Sequence, residues 1–133
     1  MLFRSVSQSR YNYYMTKKLI SILIPAYNEE EVLGLLFARL KELAEKNTAY
    51  DFEFFFVNDG SRDKTYEIIR DHAEKDTRVG YINLSRNFGK EVAMIAGFFN
   101  KCLFHIKIVF GQLRNLVLHP YLLYQPFFEK IVF

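Results

Sequence analysis

The stretch Phe54–Thr65, FFFVNDGSRDKT, passes without a break from four apolar residues and a buried-type polar pair into glycine, serine and mixed charges. An almost continuous apolar run is what a strand covered on both sheet faces requires, and Asp59-Gly60 is a strong chain-reversal signal directly after it. Residues 51–59, DFEFFFVND, therefore read as a buried strand whose carboxyl end carries a polar cluster. Ser61 or Asp63 can then cap a helix over about 64–75, with Ile68 and Ile69 on its buried side.

The same pattern occurs upstream and downstream. LISILIPAYNEE reads as a strand from Leu19 to Ile24 stopped by Pro25. Asn28 sits at a helix N-cap, and Glu29, Glu30 and Glu31 occupy a first turn that favours negative charge. Val32, Leu35, Leu36, Ala38, Leu40, Leu43 and Ala44 keep an apolar stripe to about Lys46. VGYINLS reads as a third strand, and Ser85 or Asn87 precedes a third helix from about Gly89 to Phe98, with Val92, Ala93, Ile95 and Ala96 inward. Strand and helix alternating three times predicts an α/β fold built on a parallel, Rossmann-like sheet with helices on both faces.

Composition narrows the function classes. The chain has 133 residues, enough for one domain; half are hydrophobic and a quarter charged, with 14 Phe and 9 Tyr. A net charge of +3 does not argue for a nucleic-acid partner. The charge is unevenly spread: residues 1–98 hold 14 basic and 14 acidic residues, whereas 99–133 hold Lys101, Lys107, Arg114 and Lys130 against Glu129 alone. The lone cysteine, Cys102, suits a reducing compartment. No secretory leader is evident near the N-terminus, and no apolar run reaches the roughly 18 residues of a membrane-spanning helix.

In an open parallel sheet, ligands bind beyond the carboxyl ends of the strands. Three polar clusters fall there: Pro25–Glu29, Asn58–Asp63 and Ser85–Lys90. Asp59 can accept a hydrogen bond from a base N–H or a ribose hydroxyl, Gly60 allows close backbone approach, and Tyr27 can stack on a base. Glu29 can hold sugar hydroxyls, and Arg86 and Lys90 can meet a diphosphate at a helix N-terminus. Each has a plainer reading: Pro25 as a strand stop, Asp59-Gly60-Ser61 as a capped turn, Glu29–Glu31 as helix charges, Arg86 and Lys90 as a solvated face. NFGK lacks the spacing of a phosphate loop. His72 is expected to face solvent, and His105 and His119 have no partner at metal-ligand spacing.

Together, ISILIPAYNEEEVL, FEFFFVNDGSRDKT and INLSRNFGKEVAMIAGF resemble the start of family 2 glycosyltransferases of the GT-A fold. They look most like the branch that loads a sugar onto a polyprenyl or dolichol phosphate, including bactoprenol glucosyltransferases. The resemblance covers residues 18 to about 98 and implies the N-terminal, nucleotide-binding half of a GT-A domain. It places Pro25, Tyr27 and Glu29 in the first nucleotide-contacting loop, Val57 and Asp59 at the second strand end where the acid reads the base, and Arg86 and Lys90 in the segment before the third helix. Asn58 stands where many relatives carry Asp. The partners implied are a UDP- or GDP-sugar and a polyprenyl phosphate at the cytoplasmic face of a membrane. The cofactor implied is Mg²⁺ or Mn²⁺, held in the family by an Asp-x-Asp segment after the next strand.

This chain departs from the family pattern beyond Phe98. HIKIVF can form a strand at about the right distance, but Gly111-Gln112-Leu113 follows it, and no Asp occurs after Asp76. The reading is a short extension at 1–17, a partial nucleotide-sugar-binding domain at 18–98, and a divergent apolar tail at 99–133 of the kind a shifted reading frame produces. Met15 would be a natural start for the family. With no metal ligands, no metal cofactor and little or no transferase activity are expected of this chain. The alternatives are a non-catalytic nucleotide-binding remnant and another doubly wound nucleotide-binding module.

Overall fold

The computed structural model describes residues 17–100 and 106–108. The N-terminal arm before Lys17, Cys102, His105, His119 and the apolar tail beyond Ile108 lie outside the described residues. The elements run β1 (Lys18–Ala26), α1 (Glu30–Lys46), β2 (Tyr50–Asn58), α2 (Thr65–Lys75), β3 (Val79–Asn83), α3 (Lys90–Asn100) and β4 (Ile106–Ile108). The strands form one sheet in the order β3-β2-β1-β4, and every pair is parallel. The expected parallel α/β fold is present, and Ile106–Ile108, within the HIKIVF segment, supplies its fourth strand beside Ser21–Leu23.

Side-chain alternation along the strands divides the core in two. Ile20, Ile22 and Ile24 of β1 and Phe52, Phe54 and Phe56 of β2 pack with Leu33, Leu36, Phe37, Leu40 and Leu43 of α1 and Ile69 of α2. The intervening residues Leu23, Phe55 and Val57 pack on the other face with Ala93 of α3. Helices therefore cover both faces, as the nearly unbroken apolar runs demand. Phe56 is fully buried, a burial worth about 1.5–3 kcal/mol.

Several expectations change. β1 does not stop at Pro25 but continues to Ala26, with Pro25 opposite Val57. The Ala26 carbonyl accepts from the Asp59 N–H, so alternate residues bond towards β2 and Pro25 is turned the other way. On that side the described residues of β4 pair with Ser21–Leu23, so among the described residues no partner strand needs the N–H that proline lacks. In α1, Leu33 and Phe37 are buried whereas Leu35 is 51% exposed and Ala38 is exposed. In α3, Ala93 is buried but Val92 and Ile95 are exposed. The reason is Gly97, where a Cβ would overlap Leu23 and crowd Val57: the small residues, not the large ones, face the sheet. His72 is not solvent-facing either. Its ring stacks on Phe37 at 3.7 Å between centroids, and burial pushes its pKa down, with Lys75 adding to the shift.

Candidate functional site

The sequence clusters after β1 and β2 meet in space and hold each other. Asn28 adopts a left-handed conformation (φ 51°), its N–H donating to Ser61 Oγ at 3.0 Å and its Oδ1 accepting from the Arg62 N–H at 2.8 Å. Asn28 is thus not the N-cap of α1. That position belongs to Glu29, whose side chain makes no capping bond. The exposed donors of the first turn are satisfied from the other loop instead: Glu29 N–H donates to Thr65 Oγ1 (2.7 Å) and Glu30 N–H to Asp63 Oδ2 (3.1 Å). In return the Lys64 N–H donates to Glu30 Oε2 (2.9 Å), while Asp63 Oδ1 accepts from the Thr65 N–H (2.9 Å). Two helix starts therefore cap one another across the sheet end, a capping box split between two helices. Burial alone would raise the Asp63 carboxyl; the hydrogen bonds from Thr65 and Glu30 outweigh it and hold the pKa below the usual carboxylate value.

The third cluster is fastened to the second. Asp59 is 3% exposed, and its two carboxylate oxygens accept from the Phe88 N–H (2.8 Å) and the Gly89 N–H (3.0 Å). Gly60 follows at φ 64°, and a Cβ there would overlap the backbone of Arg86 and Asn87. The Leu84 N–H donates to the Asn58 carbonyl at 2.9 Å. Asn58, also buried, accepts from Ser61 and donates through Nδ2 to Asn83 Oδ1 at 2.6 Å.

Between these loops lies an open cleft of about 440 Å³. Tyr27 forms one side, Gly60–Asp63 with Tyr66 and Glu67 a second, and Asn83–Asn87 a third. The Arg86 guanidinium lies 4.6 Å from the centre of the Phe88 ring, an attractive cation–π arrangement that braces it at the rim. Aromatic rings, side-chain amides, hydroxyls and the cations Arg62 and Arg86 suit the cleft to a planar polar ring joined to an anionic group.

Of the residues given a ligand role in the sequence, Tyr27, Gly60 and Arg86 line this cleft. Val57 is in the core against α3, Pro25 is within β1, and Asp59 lies beneath the 88–89 backbone. Glu29 is half-buried at the start of α1, and Lys90 is exposed at the first position of α3; neither borders the cleft. The lining adds Arg62, Tyr66, Glu67 and Asn83. Asn83 closes β3 as Asn58 closes β2, and the register Asn58↔Asn83 is the sequence-visible sign of it: two amides ending adjacent apolar strands.

A divalent metal fits this part of the chain poorly. Among the described residues no three His, Cys, Asp or Glu side chains converge, and the Asp59 and Asp63 oxygens already accept backbone N–H donors.

The family profile described as Glycosyl transferase family 2 matches residues 21–100, more than half the chain. The chain belongs to glycosyl transferase family 2. Among curated proteins it is 52% identical over 84 residues to the putative glycosyltransferase CsbB of Bacillus subtilis (strain 168), covering 63% of this chain and 25% of that protein. It is 41% identical over 78 residues to the prophage bactoprenol glucosyl transferase homolog of Escherichia coli (strain K12), covering 59% and 25% respectively. The chain thus spans about a quarter of the length of these curated relatives. Among solved structures, S. aureus TarS 1-349 superimposes with a TM-score of 0.56 at 23% identity, over 68% of this chain and 26% of that one. The same protein in complex with UDP gives 0.55 at 22% identity. The family 2 chain thus carries the GT-A type of α/β fold, with its cleft at the strand ends where such sheets bind ligands. Among its described residues, no helix is long and apolar enough to cross a membrane.

Proposed function

We propose that the cleft receives the nucleoside diphosphate of a sugar nucleotide, UDP- or GDP-linked, and that the reaction of the whole protein moves that sugar to a polyprenyl phosphate at the cytoplasmic face of a membrane. The observation that carries this reading is the cleft itself: an exposed tyrosine, paired side-chain amides and two guanidiniums gathered at the carboxyl ends of parallel strands. Relatives named as bactoprenol glucosyl transferases support the acceptor class, and the UDP complex of TarS supports the donor class.

In this reading Tyr27 lies against a base face, the amide of Asn83 meets polar edges of the nucleoside, and Arg62 and Arg86 neutralise diphosphate oxygens. Glu29 and Lys90 sit outside the cleft lining, where a sugar or the distal phosphate would have to extend to reach them. Glycosyl transfer breaks the bond from the anomeric carbon to the diphosphate and forms one to an acceptor oxygen. Charge neutralisation by a metal in such reactions lowers the barrier by several kcal/mol. This chain has no Asp after Asp76, and beyond Phe98 its one carboxylate side chain is Glu129, so the chain by itself is a nucleotide binder with little or no turnover.

Isothermal titration of the chain with UDP, UDP-glucose and GDP-mannose, each with and without Mn²⁺, tests this. The expected outcome is weak binding that does not depend on the metal, without release of free sugar or UDP. Absence of heat with every nucleotide would sink the binding reading, and Mn²⁺-dependent affinity would sink the metal-independent part of it.

A further inference from the structure

A relay of three hydrogen bonds runs from the backbone after β1 to the wall of the cleft, and each link has a direction. It starts at the Asn28 N–H, which can only donate and is received by Ser61 Oγ at 3.0 Å. That hydroxyl passes its own hydrogen to Asn58 Oδ1. The Ser61 backbone N–H points at the same oxygen from 3.4 Å. The Asn58 amide therefore has its oxygen towards Ser61, since the opposite orientation would set its NH₂ against a backbone N–H. Its Nδ2 is left to face β3, where it donates to Asn83 Oδ1 at 2.6 Å across the register pair Asn58↔Asn83. Asn58 is 1% exposed, whereas Asn83 is exposed and borders the cleft. With Oδ1 turned to Asn58, the Asn83 NH₂ is the part of that amide which no group among the described residues receives.

We propose that Asn83 is a specificity-determining residue: the Asn28–Ser61–Asn58 relay holds its amide with the NH₂ towards the cleft, and it thereby favours a base that offers a carbonyl oxygen, uracil over cytosine. The proposal rests on the nucleotide reading above for its ligand, while the polarity of the relay is a property of the free chain. Uracil and cytosine share one ring and differ along one edge. Uracil carries a carbonyl O4 beside a ring N–H, and cytosine carries an amino group beside a bare ring nitrogen. The Asn83 NH₂ can donate to the carbonyl, but it meets the amino group donor to donor, which leaves a donor unsatisfied as water is displaced. Turning the Asn83 amide over would set its NH₂ against that of Asn58, and the Ser61 donors keep Asn58 from turning with it. Asn83 Oδ1 keeps a second lone pair after accepting from Asn58, so cytosine is disfavoured and not barred.

Two measurements test it. In the isotope-labelled chain, followed by NMR, the side-chain NH₂ of Asn58 should exchange slowly with water and that of Asn83 fast, because an acceptor holds only the first. A protected proton on the Asn83 NH₂ would mean that the relay runs the other way and would overturn the proposal. Calorimetric titration with UDP and CDP, which differ in the base edge alone, then compares the unmodified chain with Asn83→Ala and Asn83→Asp. Asn83 is exposed at the end of β3, so neither substitution reaches the core. The unmodified chain should prefer UDP. Asn83→Ala should lower the UDP-to-CDP affinity ratio by about 3- to 10-fold, the size of one net hydrogen bond. Asn83→Asp puts an acceptor where the NH₂ stood and should lower the ratio further; its charge acts on both diphosphates alike, so the ratio is the quantity to read. Equal affinities in the unmodified chain, or a ratio left unchanged by either substitution, would refute the selection, the second result assigning Asn83 to a group that both ligands share, such as the ribose. No heat from either nucleotide would sink the nucleotide reading and the selection with it, whereas the exchange measurement judges the relay separately.

Discussion

Gly60→Ala is the sharpest probe of how the three strand-end loops are assembled. The residue has φ 64°, where an L side chain is strained, and the added methyl would overlap the Arg86 and Asn87 backbone, which cannot swing aside as the tip of a flexible side chain can. The conformational term costs about 1–2 kcal/mol. Forcing a methyl into a filled site costs roughly a further 1–3 kcal/mol. The sum of about 2–5 kcal/mol is a large part of the 5–15 kcal/mol by which domains are ordinarily stable. Gly89→Ala supplies the internal control. That glycine also has positive φ (96°), but its added Cβ would meet only Glu91 Oε2, at 3.8 Å, so the backbone term stands nearly alone. Urea denaturation of the three proteins should show the Gly60→Ala midpoint falling by about 1 M or more, given slopes of about 1–3 kcal/mol/M, with Gly89→Ala falling less. Equal losses in the two variants, or an unchanged midpoint for Gly60→Ala, would refute the close approach of loops 60 and 86–87.

Gly34 is exposed within α1 and a Cβ there would meet nothing within 4 Å, so Gly34→Ala should raise stability by about 1 kcal/mol, read as a higher urea midpoint. Thr65 is fully buried and its hydroxyl receives the Glu29 N–H; Thr65→Val should cost about 1–3 kcal/mol by orphaning that donor. His72 has its folded-state pKa lowered by burial, so its contribution is present above the unfolded value of about 6.5 and is lost as pH falls through the folded value. His72→Phe should flatten the slope of thermal stability below about pH 6.5. Asp63 is also depressed, as the net of burial that raises it and stronger hydrogen bonds that lower it; Asp76 is depressed first by its hydrogen bond from Arg78. Their contributions persist down to about pH 4 and are lost below it, so Asp63→Asn should cost stability at neutral pH, and its deficit relative to the unmodified chain should narrow below about pH 4.

The strands and the placement of the polar clusters were legible because each strand is a short run of nearly unbroken apolar residues ending in turn chemistry. The inward faces of the helices were less so. In α1 almost every turn offers apolar residues on more than one side, so a 3.6-residue stripe through Leu35 and Ala38 is as regular as the observed one through Leu33, Leu36, Phe37, Leu40 and Leu43. In α3 the rule that large apolar residues point inward gives the wrong face. Gly97 and Ala93 lie against Leu23, Phe55 and Val57, and there close approach of the helix axis matters more than the apolar area of Val92 and Ile95. The capping of α1 was not readable by local rules, because its acceptors, Asp63 and Thr65, come from more than thirty residues along the chain.

That long-range capping alters how the polar clusters of this family 2 chain are to be understood. Asn28, Ser61 and Asp63 fall in the polar clusters at the strand ends, yet in the fold they, together with Thr65, are committed to groups of the two facing loops. Asp59 is committed in the same way to Phe88 and Gly89. A buried polar group must be paired before it can be held in place, and these residues satisfy the helix starts and loop amides that the sheet end would otherwise leave open. Among the side chains that line the cleft, the loops carry outward the Tyr27 ring, the Arg86 guanidinium and the Arg62 side chain, whose backbone N–H is already bound to Asn28. Substitution of the committed residues should therefore change the shape of the cleft, while substitution of the outward ones changes its chemistry, and the two groups stand side by side, Tyr27 next to Asn28 and Arg62 between Ser61 and Asp63.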